Sequence, residues 1–184
     1  RKGKFRFKNK LLSLDSTTIS LCLELFPWAK FRRAKGGVKA QVRLDHDDYQ
    51  PSFVLVTEAK TSDVRVAQNL DLNPDSIVAF DRGYNDYALF GDWTERGVFF
   101  VTRLKDNAAY EVVESTMGPL PRRAWAPARN ILADELIRFT SAQAAKDCPH
   151  LLRRVVVWDP VNEREIVLLT NLVRRQLNFP ADDN

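Results

Sequence analysis

The chain has 184 residues, 45% of them hydrophobic and 28% charged, which excludes a disordered or fibrous protein and suits one good-sized domain with a real core. No apolar run approaches the roughly 18 residues needed to cross a bilayer, and no signal-peptide pattern opens the chain. The net charge of +4 is unevenly laid out: residues 1–43 carry 12 Lys or Arg against Asp15 and Glu24 alone, while the remainder is acidic.

A basic first quarter suggests a polyanion engaged from one side; a solvated basic strand beside a loose end is the plain alternative. Its first segment, RFKNKLLSLDSTTISL, alternates basic with apolar residues and predicts a strand carrying Asp15. LELFPWAKFRRAKGG is irregular, broken at Pro27 and at Gly36-Gly37. Here Lys30, Arg32, Arg33, Lys35 and Lys39 interleave with Trp28 and Phe31. Such cations neutralise phosphates and such aromatics stack on bases. Alternatively, the rings belong to the core and the cations are merely solvated.

VKAQVRLDHDDYQPSFVLVTEA predicts a hairpin with its turn at Asp45-His46-Asp47-Asp48. These four look like a metal cluster in one dimension only, because consecutive side chains at a hairpin tip diverge; turn chemistry explains them. TSDVRVAQNL predicts a short helix capped by Thr61 or Ser62, Asn73-Pro74-Asp75 a turn, and SIVAFD a strand delivering Asp81. NDYALFGDWTERG predicts a helix, with Asn85 or Asp86 as cap, Tyr87, Phe90 and Trp93 at helical spacing, and Gly97 at its close. VFFVTRLK is a fifth strand. The order predicts a mixed sheet with helices on its faces, an α/β arrangement.

From about residue 108 the texture turns β-rich: AYEVVES, ILADELIRFT and the hairpin RRVVVWDPVNEREIVLLTN. This predicts a lobe added to the α/β core. Between its strands MGPLPRRAWAPARN brings Arg122, Arg123 and Arg129, a second and weaker nucleic-acid candidate. Cys22 and Cys148 stand outside any ligand spacing, and His46 and His150 are the only histidines, so a structural zinc site is set aside. Both cysteines read as reduced thiols of a cytosolic protein.

Asp15 in LLSLDSTT and Asp81 in IVAFDRGY each end an apolar β-run. If their strands are neighbours, the carboxylates converge on a divalent cation, and Mg²⁺ suits oxygen ligands of this kind. Either acid alone is as well explained by a turn cap. Thr17 and Thr18 hydrogen-bond Asp15 or fill β positions; Arg82 and Tyr84 reach a phosphate or orient the ligand, or else form a salt bridge and a packed ring. Gly83 permits a tight turn, and Asp86 is better explained as a helix N-cap.

LDSTTISL, then FDRGYNDY followed by a helix, then FFVTRLK and a β-rich insertion ending in IVLLTN, together resemble the catalytic domain of IS4-family DDE transposases. The resemblance implies a ribonuclease H-like mixed sheet with flanking helices and a β-rich insertion. It divides the chain into residues 1–107 (first part of the core), 108–171 (insertion) and 172–184 (start of the return to the core). It implies DNA cutting and joining at insertion-sequence ends with Mg²⁺, Mn²⁺ being the alternative ion, and Asp15 and Asp81 as the first two metal-binding carboxylates of three. The implied partner is double-stranded DNA, both transposon ends and target, with a homodimer in the DNA complex as one option. The implied setting is the bacterial cytoplasm, at the nucleoid. The DNA-contact candidates are Lys30, Arg32, Arg33, Lys35, Lys39, Arg82 and Tyr84.

In that family the third acid is a glutamate on a helix after the insertion, within a Tyr, Arg, Glu and Lys signature. This chain reaches LTNLVRRQLNFPADDN without it. Glu163 and Glu165 fall on a hairpin and Asp182 and Asp183 in a polar tail, so the third carboxylate is unassigned. Both ends, RKGKFRFKNK without a methionine and FPADDN, read as cut from something longer. The alternatives are an incomplete transposase, an inactive remnant that binds DNA or a partner, and another ribonuclease H-like nuclease with a different third ligand.

Overall fold

A computed structural model describes residues 7–21, 30–32, 35–115 and 130–173, with the side chains of 30–32, 35 and 36 outside the description. Strand β1 (Leu11–Leu21) pairs antiparallel with β3 (Lys35–Asp45), which carries the short β2 (Lys30–Arg32) and, as the expected hairpin, β4 (Pro51–Glu58). Helix α1 (Asp63–Gln68) leads to β5 (Ile77–Phe80), parallel to β1; helix α2 (Tyr87–Glu95) leads to β6 (Phe99–Arg103), parallel to β5. Parallel neighbours need such crossovers, which is why helices separate these strands.

Among the described residues the sheet continues through β10 (Arg164–Thr170), β9 (Leu152–Asp159), β8 (Ile131–Phe139) and β7 (Tyr110–Ser115), all antiparallel. The mixed α/β sheet expected from the sequence is the one found. The change of texture near residue 108 is a change of composition and not a break in the sheet, because β10 pairs with β6. Helix α3 (Ala142–Asp147) stands where the sequence reading has no helix; six residues are too few to display a helical period.

Side chains alternate across the sheet. Leu12, Leu14, Val78, Phe80 and Phe100 face the helices and enclose Leu89, Phe90 and Trp93 of α2 in the main core. Leu11, Ile77, Phe99 and Val101 make a smaller cluster on the opposite face, with Phe7 and Leu172. Helix α2 begins where Asp86 accepts a hydrogen bond from Leu89 N at 3.0 Å and gives way to Gly97 in the left-handed region, φ +69°. Ser62 occupies the N-cap position of α1, but its side chain makes no capping bond.

At the end of β10, buried Asn171 accepts from Phe100 N at 2.9 Å and donates to the Val98 carbonyl at 2.9 Å and Thr94 Oγ1 at 3.1 Å. Cys148 is a free thiol, fully buried, and desolvation pushes its pKa up to about 11. No described helix is long and apolar enough to cross a membrane.

Candidate active site

The position of the two acids follows from strand register. Leu11–Leu14 of β1 lie beside Ile77–Phe80 of β5, Leu14 opposite Phe80, and the next residue on each segment is an aspartate. Neighbouring strands are about 4.8 Å apart, so Asp15 and Asp81 emerge side by side. On the other flank Ala79 lies opposite Val101, and two residues further along stand Asp81 and Arg103. Asp15, Asp81 and Arg103 therefore form a row across three strands. With Ser13, Ala79 and Arg82 they line a cleft of about 570 Å³.

Asp15 is not at a strand end, as the sequence suggested. It lies within β1, which runs on to Leu21; only the pairing with β5 stops. Its Oδ1 accepts from the backbone N–H of Ser16 at 2.8 Å, and Thr17 and Thr18 fill β positions of the same strand. Asp81 does cap the next element: its Oδ1 accepts from Gly83 N at 2.8 Å and opens the 3₁₀ turn Arg82–Tyr84. The cap uses one carboxylate oxygen and leaves the second to ligate a cation, so cap and ligand are compatible roles. Gly83 matters here for space, since a Cβ would sit 3.0 Å from that same Oδ1.

The turn is stapled to β6. The Thr102 hydroxyl lies 3.3 Å from the Asp81 carbonyl and 3.0 Å from Asn85 Oδ1, and Asn85 Nδ2 donates to the Arg103 carbonyl at 2.7 Å. Both acids are exposed in the cleft and offer only oxygen, a donor set that fits a hard divalent cation. Among the described residues no third His, Cys, Asp or Glu joins them in a ligand group.

Residues 6–157 match the transposase DDE domain. The chain belongs to that family. This DDE transposase domain is 28% identical over 178 residues to the "Probable transposase for insertion sequence element IS5377" of Geobacillus stearothermophilus, covering 96% of this chain and 45% of that protein. It is 30% identical over 158 residues to the "Putative transposase y4zB" of Sinorhizobium fredii, covering 86% and 43%. The chain thus spans less than half the length of these curated relatives. A distant likeness extends to a chain of the cryo-EM structure of piggyBac transposase synaptic complex with hairpin DNA, at TM-score 0.47 and 11% identity over 88% of this chain and 33% of that one.

The remaining candidates of this DDE transposase domain are placed unevenly. Arg82 lines the cleft and pairs with Asp106 at 3.0 Å. Tyr84 is a correction: the ring is 1% exposed in the core, edge-on to Phe80, and offers nucleic acid no surface in this conformation. Burial, the main cause, raises its hydroxyl pKa well above the ordinary value. Lys39 is a second correction, since its ammonium is held by Asp63 at 3.1 Å and by the Thr61 carbonyl at 3.1 Å, largely out of solvent. Arg33, Trp28, Cys22, Arg122, Arg123, Arg129, Asp182 and Asp183 lie outside the described residues, as do the side chains of Lys30, Phe31, Arg32 and Lys35.

The Asp45–Asp48 run is the expected turn: Asp45 accepts from Asp47 N at 3.0 Å and pairs with Lys10 at 2.6 Å, and Asp48 accepts from Gln50 N at 2.9 Å. His46 instead reaches back to the cleft wall, with Nε2 2.8 Å from Ser13 Oγ. Ser13, His46 and Arg103 were missed from the sequence. Only the period-two step from Ser13 to Asp15 carried a signal; the other two depend on pairing.

Proposed function

We propose that the chain is the opening part of the catalytic core of an IS4-family transposase of ribonuclease H-like fold. Its reaction is hydrolysis of a phosphodiester at an insertion-sequence end, followed by joining of the freed 3′ hydroxyl to target DNA. The observation that carries this is the β1–β5 register, which sets Asp15 beside Asp81 in an open cleft flanked by Arg82 and Arg103. Membership of the DDE transposase domain family and the insertion-sequence name of one relative support it. The order strand, hairpin, helix, strand, helix, strand supports the fold, and LDSTT with DRGY supports the subfamily.

Asp15 and Asp81 would hold the divalent ion, Mg²⁺ with Mn²⁺ as substitute; bound there, it supplies activation of water and stabilisation of the departing oxygen. The protein's own groups do the positioning. The N–H groups of Ser16 and Gly83 hold the two carboxylates in place. Arg82 and Arg103 line the same cleft, and their guanidinium groups would receive a phosphate there, for which the planar fork is well shaped. The partner is double-stranded DNA in the bacterial cytoplasm, and a homodimer in that complex belongs to the same proposal.

Incubating the chain with element-end DNA and Mg²⁺ tests this. Nicking by the unaltered chain that is lost in Asp81→Asn and Asp15→Ala, with DNA binding retained, supports the assignment; nicking that survives in both variants overturns it. One observation favours a second reading, a DNA-binding piece that does not cut by itself: among the described residues the pair lacks a third carboxylate. Binding without nicking by the unaltered chain selects that reading.

A further inference from the structure

Apart from the short β2, only β4 and β7 have a single strand neighbour among the described residues, so each presents an open edge. The two edges are built differently. β7 carries Glu111 and Glu114 and a register shift between Val112 and Glu114, devices that keep a sheet edge from pairing. β4 has no charge from Pro51 to Thr57, and its one register shift falls at the Pro51 end. Val54 and Val56 are 57% and 60% exposed.

What the edge offers follows from the ladder. Ala59 N donates to the Gly37 carbonyl at 3.1 Å, so Thr57, Leu55 and Phe53 turn their N–H and C=O toward β3. Those of Val54, Val56 and Glu58 point outward, where no described strand meets them. The outward groups are self-complementary. With Leu55 antiparallel to the partner's Leu55, Val54 faces the partner's Val56 and Val56 the partner's Val54, each pair exchanging two backbone hydrogen bonds. Glu58 then faces the partner's Ser52 and not a second acid.

We propose that the β4 edge is a homodimer interface, in which two copies of this chain join their sheets strand to strand about Leu55. This edge supplies a surface for the homodimer of the proposed transposase, and its meaning for DNA rests on that reading. The two-fold axis of such a pair stands perpendicular to the sheet and keeps each face on its own side. Asp15 lies opposite Val42, and Val42 opposite Val54, so all three share a face. Both clefts therefore open to the same side, their Asp15 residues roughly 25 Å apart across the joined strands. One strand edge is small beside the roughly 1,200–2,000 Å² of a stable interface, so the free chains pair weakly and reversibly.

Sedimentation of the 184-residue chain without DNA tests this against Val56→Pro and Val54→Lys. Proline removes an outward N–H that the β3 ladder does not use, which edge strands tolerate. Lysine sets a charge on the edge at an exposed position. The unaltered chain dimerises as its concentration rises, and each variant loses roughly tenfold or more in dimer affinity, two intermolecular bonds going with the proline. Their melting temperatures in dilute solution hold. Mild oxidation of Leu55→Cys, in a Cys22→Ser background, gives covalent dimers, because residues facing each other at a non-hydrogen-bonded position lie within disulfide reach. Val113→Cys on β7 gives none.

A monomer at every concentration up to about 1 mM overturns the interface. So do dimers that both variants leave intact, species larger than dimers, or equal cross-linking at positions 55 and 113. If neither variant folds, an absence of cross-linking in Leu55→Cys overturns it. DNA binding by a chain that stays monomeric removes the interface and leaves the transposase reading standing. Dimers that bind no element-end DNA uphold the interface and remove that reading instead.

Discussion

Gly91 passes so close to the carbonyl oxygen of Asp147 that a Cβ on the glycine would lie 2.2 Å from it. Helices α2 and α3 meet there backbone to side-chain-free backbone. Gly91→Ala gains about 1 kcal/mol of helix propensity, yet it drives the helices apart, at about 1–3 kcal/mol. The contact wins where it cannot relax, because its far side is main chain. A lower urea midpoint with unchanged slope is expected; a midpoint equal to or above that of the unaltered chain would show that α3 yields freely.

Asn171→Leu tests the staple between β10 and β6. It leaves Phe100 N and the Val98 carbonyl without their side-chain partner in a dry interior. Each such group costs about 1–3 kcal/mol, so a loss on the order of 3 kcal/mol is expected by denaturant titration. Asn162→Ala is the comparison: it removes a bond to Asp159 in an exposed turn and should cost well under that.

The hairpin tip should give the fold a sensitivity to acid. Lys10, as hydrogen-bond donor, holds the Asp45 carboxyl below its ordinary range, helped by the N–H of Asp47. A carboxyl with a depressed folded pKa contributes stability above its unfolded value of about 3.9 and loses it as pH falls through the folded value. Lys10→Met removes the principal cause, so stability near neutrality falls, stability below the folded pKa is unchanged, and the acid midpoint of unfolding moves to higher pH. Circular dichroism between pH 2 and 7 measures this, and an unmoved midpoint would refute it.

Arg103 carries the prediction for DNA. If it meets a phosphate beside the acids, Arg103→Ala weakens binding to element-end DNA and lowers the slope of log affinity against log salt by about one. Arg138→Ala, at a guanidinium paired with Glu111 on β7 and β8, leaves both unchanged. Equal slopes for Arg103→Ala and the unaltered chain would remove Arg103 from the interface.

Much of this was legible in the chain because it is written locally. The β3–β4 hairpin, the Asp86 cap and the Gly97 stop each rest on residues within one or two turns of each other. What stayed hidden depends on partners far away in sequence. Tyr84 sits in a polar motif and reads either as a site residue or as a packed ring; only the packing against Phe80 decides for the packed ring. Lys39 looks like one more free cation in a basic run until Asp63 takes it. Arg103 means nothing in VFFVTRLK and becomes the neighbour of Asp81 only once β6 lies beside β5. The second half reads as a β-rich lobe added to the core because composition changes there; that β10 joins it to β6 depends on partners far apart in sequence.

Strand β5 stops at Phe80, whereas β1 beside it carries on to Leu21, backed by β3. The sheet therefore has a step in its edge, and the acids stand on the tread, with the continuing strands as the riser. A polymer laid across the tread would meet Asp15, Asp81 and Arg103 in turn, one from each of three successive strands.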